Sequence, residues 1–463
     1  MNTFNEESFR DHINTTDAQG RRSWVYAAAP SGKLHTYRFI TAMGLLALFF
    51  LMPFLKIRGN PFLLLDVLDR RFIILGKIFW PQDFHFFVIG LITLIIGIVL
   101  FTVVYGRVWC GWTCPQTVFL EMVFRKIEFL IEGSPQKQRR LDEAEMSFDK
   151  IRRKGLKHLV YILISLLVIH TLASYILGTG ELLGIMRSGP AQHMGLFFIL
   201  LVFSGIFYFV FARFREQVCT LVCPYGRLQG VMLDANSLVV AYDFRRGEER
   251  GKWKKGEDRP GKGKGDCIDC GNCVRVCPTG IDIRNGTQLE CINCTACIDA
   301  CNGVMRKIGY RPGLVRIASY NEIAQGRKAR FTPRIIAYTV LLIGLLITMI
   351  TLFISRNDTE TTILRVPGSL YQDMGESWSN IYNLQIVNKS DTDLPVYVTT
   401  ESIKGRVQVI GDTLLAKSQE TTEGVFLLYL DKTLVNSSKI PVTFGIWSEG
   451  KLIEKEKATF VGP

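Results

Sequence analysis

The chain predicts a multidomain membrane protein: an α-helical transmembrane bundle of about five spans, a bacterial two-[4Fe–4S] ferredoxin insert and a C-terminal immunoglobulin-like β-sandwich. Three observations carry that prediction. Several apolar runs reach the ~20 residues that cross a bilayer's hydrocarbon core. Eight of the twelve cysteines fall into two runs at iron–sulfur spacing. After residue 356 the pattern changes to short alternating apolar segments separated by turn residues.

The expected spans are about Tyr37–Leu55, Phe84–Tyr105, Leu156–Leu177, Gln192–Arg213 and Pro333–Ser355. A mean hydropathy of +0.19 with 48% hydrophobic residues agrees with a membrane chain. No secretory signal peptide is expected, because the first 35 residues are polar and the first apolar run is long enough to span. Pro53 lies near the end of that run, where a membrane helix tolerates it.

Orientation follows from Lys and Arg in the connections. Residues 107–157 carry 11 and residues 215–334 carry 21, while 178–192 carry only Arg187. The loop 56–83, with five, dissents. The balance places the N-terminus and both long basic segments in the cytoplasm of a bacterial inner-membrane protein, and the segment after the fifth span outside. The net charge of +13 is therefore assigned to topology, not nucleic acid: residues 356–463 hold 14 acidic and 11 basic groups, so the basic excess sits between the apolar runs. No nucleic-acid reading module accompanies it.

The loop 56–83 is apolar but interrupted by Asp66, Asp69, Arg70 and Arg71. It reads as an interfacial hairpin or short amphipathic piece, with Trp80 as an interface anchor. Residues 245–265 are charged and Gly-rich and read as a linker. Beyond residue 356, strands are expected at Tyr382–Val387, Val396–Thr400, Val407–Ile410, Gly424–Leu430, Val442–Trp447 and Ala458–Val461, with turns such as Asn388–Asp393 and Gly411-Asp412. About seven short strands in about 100 residues suit a β-sandwich. The predicted boundaries are 1–36 for a cytoplasmic N-terminal segment, 37–244 for a four-span core, 245–332 for linker and ferredoxin domain, 333–355 for the fifth span and 356–463 for the sandwich.

The two ferredoxin runs are Cys267-x2-Cys270-x2-Cys273-x3-Cys277-Pro278 and Cys291-x2-Cys294-x2-Cys297-x3-Cys301, with Asn302 where the second run would carry proline. In two-cluster ferredoxins the fourth cysteine of each run ligates the other cluster. The expected sets are Cys267, Cys270, Cys273 and Cys301 for one cluster, and Cys291, Cys294, Cys297 and Cys277 for the other. Structural zinc fits two tandem runs of four poorly. Thiols at metal spacings beside basic loops point to a reducing compartment.

The remaining cysteines form two C-x3-C-P motifs, Cys110/Cys114-Pro115 and Cys219/Cys223-Pro224, each just after an apolar run. VWCGWTCPQTVFLEMV and QVCTLVCPYGRLQGVM align as a weak repeat, their cysteines 109 residues apart. Residues i and i+4 of a helix share a face, so each pair is expected to present two thiols together. Such thiols suit Cu(I), another iron cofactor, or a dithiol–disulfide cycle. Arg107, Trp109 and Trp112 flank the first pair, and Arg213, Arg215 and Arg227 the second. Cationic neighbours favour thiolate, although positive-inside anchoring alone explains them. His85, His170 and His193 lie toward the opposite end of the bundle and are candidates for a quinol, haem or copper site. Met43, Met52, Met194 and Met349 read as packing residues.

The order of parts, with WCGWTCPQTVFLE, CTLVCPYGR and FWPQD, resembles the FixG/RdxA/CcoG family of cytochrome c oxidase accessory proteins over nearly the whole chain. That resemblance implies an oxidoreductase that converts Cu(II) to Cu(I) for a cbb-type haem–copper oxidase. It assigns the cluster cysteines and Cys110, Cys114, Cys219 and Cys223 to the family's motif positions. Implied partners are membrane lipid, copper ions, oxidase assembly factors or copper transporters, and a cytoplasmic electron donor or quinol; a homodimer is a further expectation. Two alternatives stand beside it: a quinol-oxidising membrane ferredoxin feeding another redox enzyme, and a non-catalytic assembly scaffold.

Overall fold

The structure is a computed structural model and describes residues 15–16, 19, 21–57, 59–67, 71–80, 83–326, 332–355, 359–368, 370–390, 392–411 and 414–463. The first part of the expected N-terminal segment (1–14), together with Asp69, Arg70, Pro81, Gln82 and Asp412, lies outside the described residues.

Among the described residues, five helices are long and apolar enough to cross a membrane: Lys33–Phe54, Phe84–Tyr105, Phe148–Leu177, Met194–Phe214 and Pro333–Ile354. They match the five expected spans, with one revision. The third begins at Phe148, eight residues before its apolar run, because Ser147 caps it by accepting a hydrogen bond from Lys150 N. Apolar side chains on these helices face outward in large number, Phe198, Val340 and Leu91 among them, as lipid contact requires.

The chain divides into two compact units. The first comprises Met1–Gly76 and Phe84–Ile347. Within it, residues of the loop after the first span form an antiparallel hairpin, Leu63–Asp66 with Arg71–Ile74. Its Leu64 and Ile73 are buried. An aromatic cluster of Phe119, Phe124, Tyr161, Phe207 and Phe211 joins the third and fourth spans to the segment after the first thiol motif, with Phe124 stacked on Phe211 at 4.7 Å.

The ferredoxin lobe is tied into this unit by the antiparallel pair Val239–Tyr242 and Val315–Ala318. The charged segment 245–265 is not a free linker. Arg259, fully buried, donates to the carbonyls of Gly251, Lys252, Gly265 and Cys267 at 2.7–3.2 Å. A planar guanidinium satisfies several carbonyls at once, so a segment with little to bury still folds around one side chain.

The second unit comprises Lys77–Asp83 and Thr348–Pro463. Its strands form two antiparallel sheets. One runs Gly405–Ile410, Thr421–Asp431, Ser377–Asn388, Thr359–Arg365, and the other Leu414–Ala416, Leu394–Thr400, Lys439–Ser448, Lys451–Val461. Tyr382, Phe426 and Phe444 fill the core between them with ring centroids 5.2–5.4 Å apart. The strands run longer than their apolar centres, because paired backbone extends past the buried residues. Lys389, almost fully buried, holds Asp83 at 2.9 Å and Glu360 at 2.8 Å.

Candidate electron-transfer site

The two thiol motifs fold alike. Val108–Trp112 forms a helical turn, Cys114 is extended (ψ 126°), and Pro115 starts a new helix. Val218–Val222 forms a π-helical turn, Cys223 is extended (ψ 110°), and Pro224 starts the helix Pro224–Met232. A residue before proline avoids the helical region, and proline suits the first helical position. The second cysteine of each motif therefore sits at a break, which corrects the expectation of two thiols on one continuous helical face.

The breaks bring the four thiols together. Cys110 feels the charge of Cys114 and Cys223, and Cys219 feels Cys114, Cys110 and Cys223. Each of Cys110 and Cys219 thus senses thiols of the other motif, from cysteines 109 residues apart, although among the described residues no three His, Cys, Asp or Glu side chains converge on one metal-ion position. Burial pushes the Cys110 thiol up to about 11 and Cys219 up to about 12. Arg107 opposes this at both, but desolvation wins. The expectation that flanking cations lower both pairs is thus corrected for these two thiols. Arg215 is committed elsewhere, paired with Glu128 at 2.7 Å and Glu216 at 3.5 Å.

Gln229, with no exposed surface, organises the site. Its Oε1 accepts from Arg107 Nε and from Cys110 Sγ, both at 3.1 Å, and its Nε2 donates to Thr102 Oγ1 at 3.3 Å. Arg107 also donates to the Leu289 carbonyl, just before the second ferredoxin run. Arg38 donates to the Gly111 carbonyl at 2.6 Å and lies near enough to Cys294 to act on its charge. Neither Gln229 nor Arg38 was among the sequence-predicted residues. Gln229 sits five residues past Pro224, and no local pattern marks it.

A buried ion network holds the approach to the second motif. Arg125 pairs with Glu121 at 2.7 Å, Lys157 with Glu132 at 2.9 Å, and Arg22 with Glu216 at 3.1 Å. The Arg22 and Arg215 guanidinium groups lie 4.1 and 4.7 Å from the Trp24 ring centre. Burial works against ionisation of Glu128, yet Arg215 and its cationic neighbours hold its carboxyl below the usual range. Arg215 has φ 52°, ψ −121°, a conformation L residues rarely adopt, and these pairs hold it there.

The ferredoxin cysteines line two small cavities. Cys277, Cys291, Cys294 and Cys297 line one, walled by Val240, Ile281 and Ile292, and Cys273 touches its edge. Cys267, Cys270, Cys273 and Cys301 line the other, with Met305 and Leu314. Gly271 (φ 65°), Asn293 (φ 52°) and Thr295 (φ 62°) turn the chain tightly around them. Burial raises Cys273 and Cys294 to about 11, and Cys291 and Cys301 to about 12. Metal binding at such thiols releases protons. Among the described residues no three His, Cys, Asp or Glu side chains close on a single ion. Thiols spread around a cavity suit a four-iron cluster, where each takes a different iron, better than one zinc ion.

The two systems touch. Cys110 packs with Ile292, Cys294 and Ala296, and Tyr225 and Cys297 lie against the same group. A Cβ on Gly111 would lie 2.9 Å from both Cα and N of Cys294, and nearer still to the Ile292 carbonyl. The histidines divide: His170 and His193 line one cavity with Met186 and Phe197, whereas His85 packs on Phe86 away from them.

Comparisons with known proteins agree with this anatomy. Residues 214–320 match a 4Fe-4S dicluster domain, residues 86–133 a 4Fe-4S binding domain, and residues 349–463 the IG-like fold at the C-terminal of FixG. The chain is 34% identical to Protein RdxB of Cereibacter sphaeroides over 84% of each chain. It is 34% identical to Protein RdxA of the same organism, over 80% of this chain and 81% of that one. It is 37% identical to the nitrogen fixation protein FixG of Rhizobium meliloti, over 66% of this chain and 59% of that longer protein. Two [4Fe–4S] clusters, five long apolar helices and the C-terminal β domain describe an iron–sulfur electron-transport protein, and the chain belongs to the FixG/RdxA/RdxB family.

Proposed function

We propose that this protein reduces Cu(II) to Cu(I) for the assembly of a cbb-type haem–copper oxidase. Cys110, Cys114, Cys219 and Cys223 receive the copper ion as substrate. The observation that carries this reading is the direct packing of Gly111, inside the first thiol motif, on the backbone of Cys294. Thiolates select Cu(I) over Cu(II), so electron arrival and ligand preference act in the same direction. Burial keeps Cys110 and Cys219 protonated at neutral pH, and an arriving metal displaces those protons.

The ligand sets we assign are Cys267, Cys270, Cys273 and Cys301 for one cluster and Cys277, Cys291, Cys294 and Cys297 for the other. The clusters supply one-electron steps when bound. The chain's own residues would hold them beside the thiols, with Cys270 left at the surface. The excess of Lys and Arg in 107–157 and 215–334 supports a cytoplasmic position for both redox systems, with the β-sandwich on the other side. The sandwich is the part we assign to docking oxidase assembly partners.

A second reading has its own support. The match of residues 86–133 to a 4Fe-4S binding domain covers Cys110 and Cys114 but no ferredoxin cysteine. The four thiols would then hold an iron–sulfur centre of their own. Iron analysis separates the two readings, about eight irons per chain against about twelve. The copper reading is tested by adding Cu(II) to dithionite-reduced protein and trapping Cu(I) with a chromogenic chelator. A Cys110→Ala/Cys219→Ala variant that keeps both clusters should lose reduction; full reduction would remove these thiols from the mechanism.

A further inference from the structure

We infer that a cavity of about 780 Å³ beside the clusters is the entry site for a two-electron donor of the quinol class. This inference extends the copper-reductase reading by naming the source of its electrons. The cavity has the size of a small-molecule site.

The strand Val239–Tyr242 is its wall. Val239, Ala241 and Tyr242 line the large cavity, Val240 lines the cavity of Cys277, Cys291, Cys294 and Cys297, and Tyr242 also lines the cavity of Cys267, Cys270, Cys273 and Cys301. Successive strand residues point to opposite faces. The strand therefore stands between the large cavity and the cavity of Cys277, Cys291, Cys294 and Cys297, and its Tyr242 borders both the large cavity and that of Cys267, Cys270, Cys273 and Cys301. Arg107 lines the same space and hydrogen-bonds Gln229, which accepts from Cys110.

The lining selects the ring. Phe244 and Tyr320 lie on one side with centroids 6.0 Å apart, joined by Leu233 and Ile323. Asp234 and Glu290 add negative charge, and the cationic group among the lining residues, Arg107, already bonds to Gln229 and Leu289. That set disfavours a phosphate-bearing flavin or nicotinamide and accepts a neutral ring. The rim carries an exposed apolar residue: Leu289 is 63% exposed and lies against Gly230, which also lines the cavity. Arg107 follows the end of the span Phe84–Tyr105 by two residues. An exposed apolar rim at that level suits the lipid boundary, the phase a quinol occupies.

The stoichiometry closes. A quinol becomes a quinone by losing two electrons and two protons. One electron goes to each cluster, and the protons leave through Asp234 and Glu290 to water.

The test uses purified full-length protein with both clusters. Menadiol is mixed with the oxidised protein and cluster bleaching is followed by stopped flow. Ala241→Trp fills the cavity from the strand and Ala235→Trp from the opposite side; iron content reports whether clusters persist in each. Reduction is expected to slow at least tenfold in both. A photoreactive azidoquinone is expected to label peptides within 233–244 or 285–290, with or without clusters. Parent-like rates in both variants, labelling confined to the cavity of His170 and His193, or faster reduction by reduced flavin mononucleotide than by menadiol would each overturn the inference. Cu(II) reduction by dithionite-reduced parent protein is measured separately. Its absence removes the copper reading without touching this one.

Discussion

Gly111→Ala is the sharpest perturbation of the joint between the thiols and the clusters. The added Cβ would stand 2.9 Å from Cys294 Cα and N, 0.5 Å short of the 3.4 Å where ordinary contact begins. The Ile292 carbonyl stands closer still. Every blocking atom is backbone, so no side chain can swing away. The neighbouring Arg38 bond to the Gly111 carbonyl, at 2.6 Å, fixes the turn from the other side. The methyl group must therefore separate the thiol turn from the loop that carries Cys291 and Cys294. Overpacking of this kind costs about 1–3 kcal/mol, about 5- to 150-fold in the closed-to-open equilibrium.

The expected result is selective. The cluster held by Cys277, Cys291, Cys294 and Cys297 becomes labile to chelator and its EPR signal broadens. The cluster held by Cys267, Cys270, Cys273 and Cys301 is retained, and Cu(II) reduction by the dithionite-reduced protein falls at least fivefold. Gly303→Ala is the control, since a Cβ there meets nothing within 4 Å. Parent-like chelator sensitivity and Cu(II) reduction in Gly111→Ala would falsify the claim that this contact couples the two systems.

The other predictions concern the shells around that joint. Cys277→Ala should leave one intact [4Fe–4S] signal and convert the cluster of the second run, not the first, which EPR of the companion Cys301→Ala variant distinguishes by converting the other. Arg215→Met removes the nearest partner of buried Glu128, leaving it Lys157 at 3.7 Å while Glu216 keeps Arg22 at 3.1 Å, and should destabilise the protein by about 3 kcal/mol, with part of the loss recovered in the Arg215→Met/Glu128→Gln double variant in urea unfolding. Glu128 is held below the usual carboxylate range, so its contribution is complete above an unfolded value of about 4.3 and is lost only as pH falls through its lower folded value; Glu128→Gln should remove that acid limb from the unfolding profile. Arg259→Lys keeps the charge but loses the guanidinium fork, and should cost at least about 2 kcal/mol, read as faster loss of the cluster held by Cys267.

What the sequence made legible was local. Spans appear because about 20 apolar residues in a row have few other uses, and the ferredoxin runs because each packs its four thiols into a stretch of eleven residues. What it hid was tertiary. Nothing near Cys110 announces that Cys219 lies beside it, and Gln229 looks like any helix glutamine until its Oε1 meets Arg107 and Cys110. Charge misled twice for one reason. Arg259 and Arg215 sit in stretches that read as solvated or membrane-anchoring, but both are buried and spent on fixed partners. A count of charges records their sign and not their burial, and burial also outweighed the effect of Arg107 on Cys110 and Cys219.

The tight joint holds the ferredoxin lobe against the first thiol motif. Electron transfer between a lobe and a membrane site can rely on docking or on permanent contact. Here contact is built in at three places: Gly111 on Cys294, Arg107 on the Leu289 carbonyl, and Gly106, whose missing side chain admits Asn293 and Val239. Gly106 has φ 59°, so any other residue there meets both strain and collision. Arg259 then gathers the charged stretch 245–265 around its own side chain. Contacts of this kind favour transfer across the joint over transfer by a swinging lobe, and the groups packed against the Cys294 loop there include Cys110 and Tyr225; the proposed route to the thiols starts at that contact.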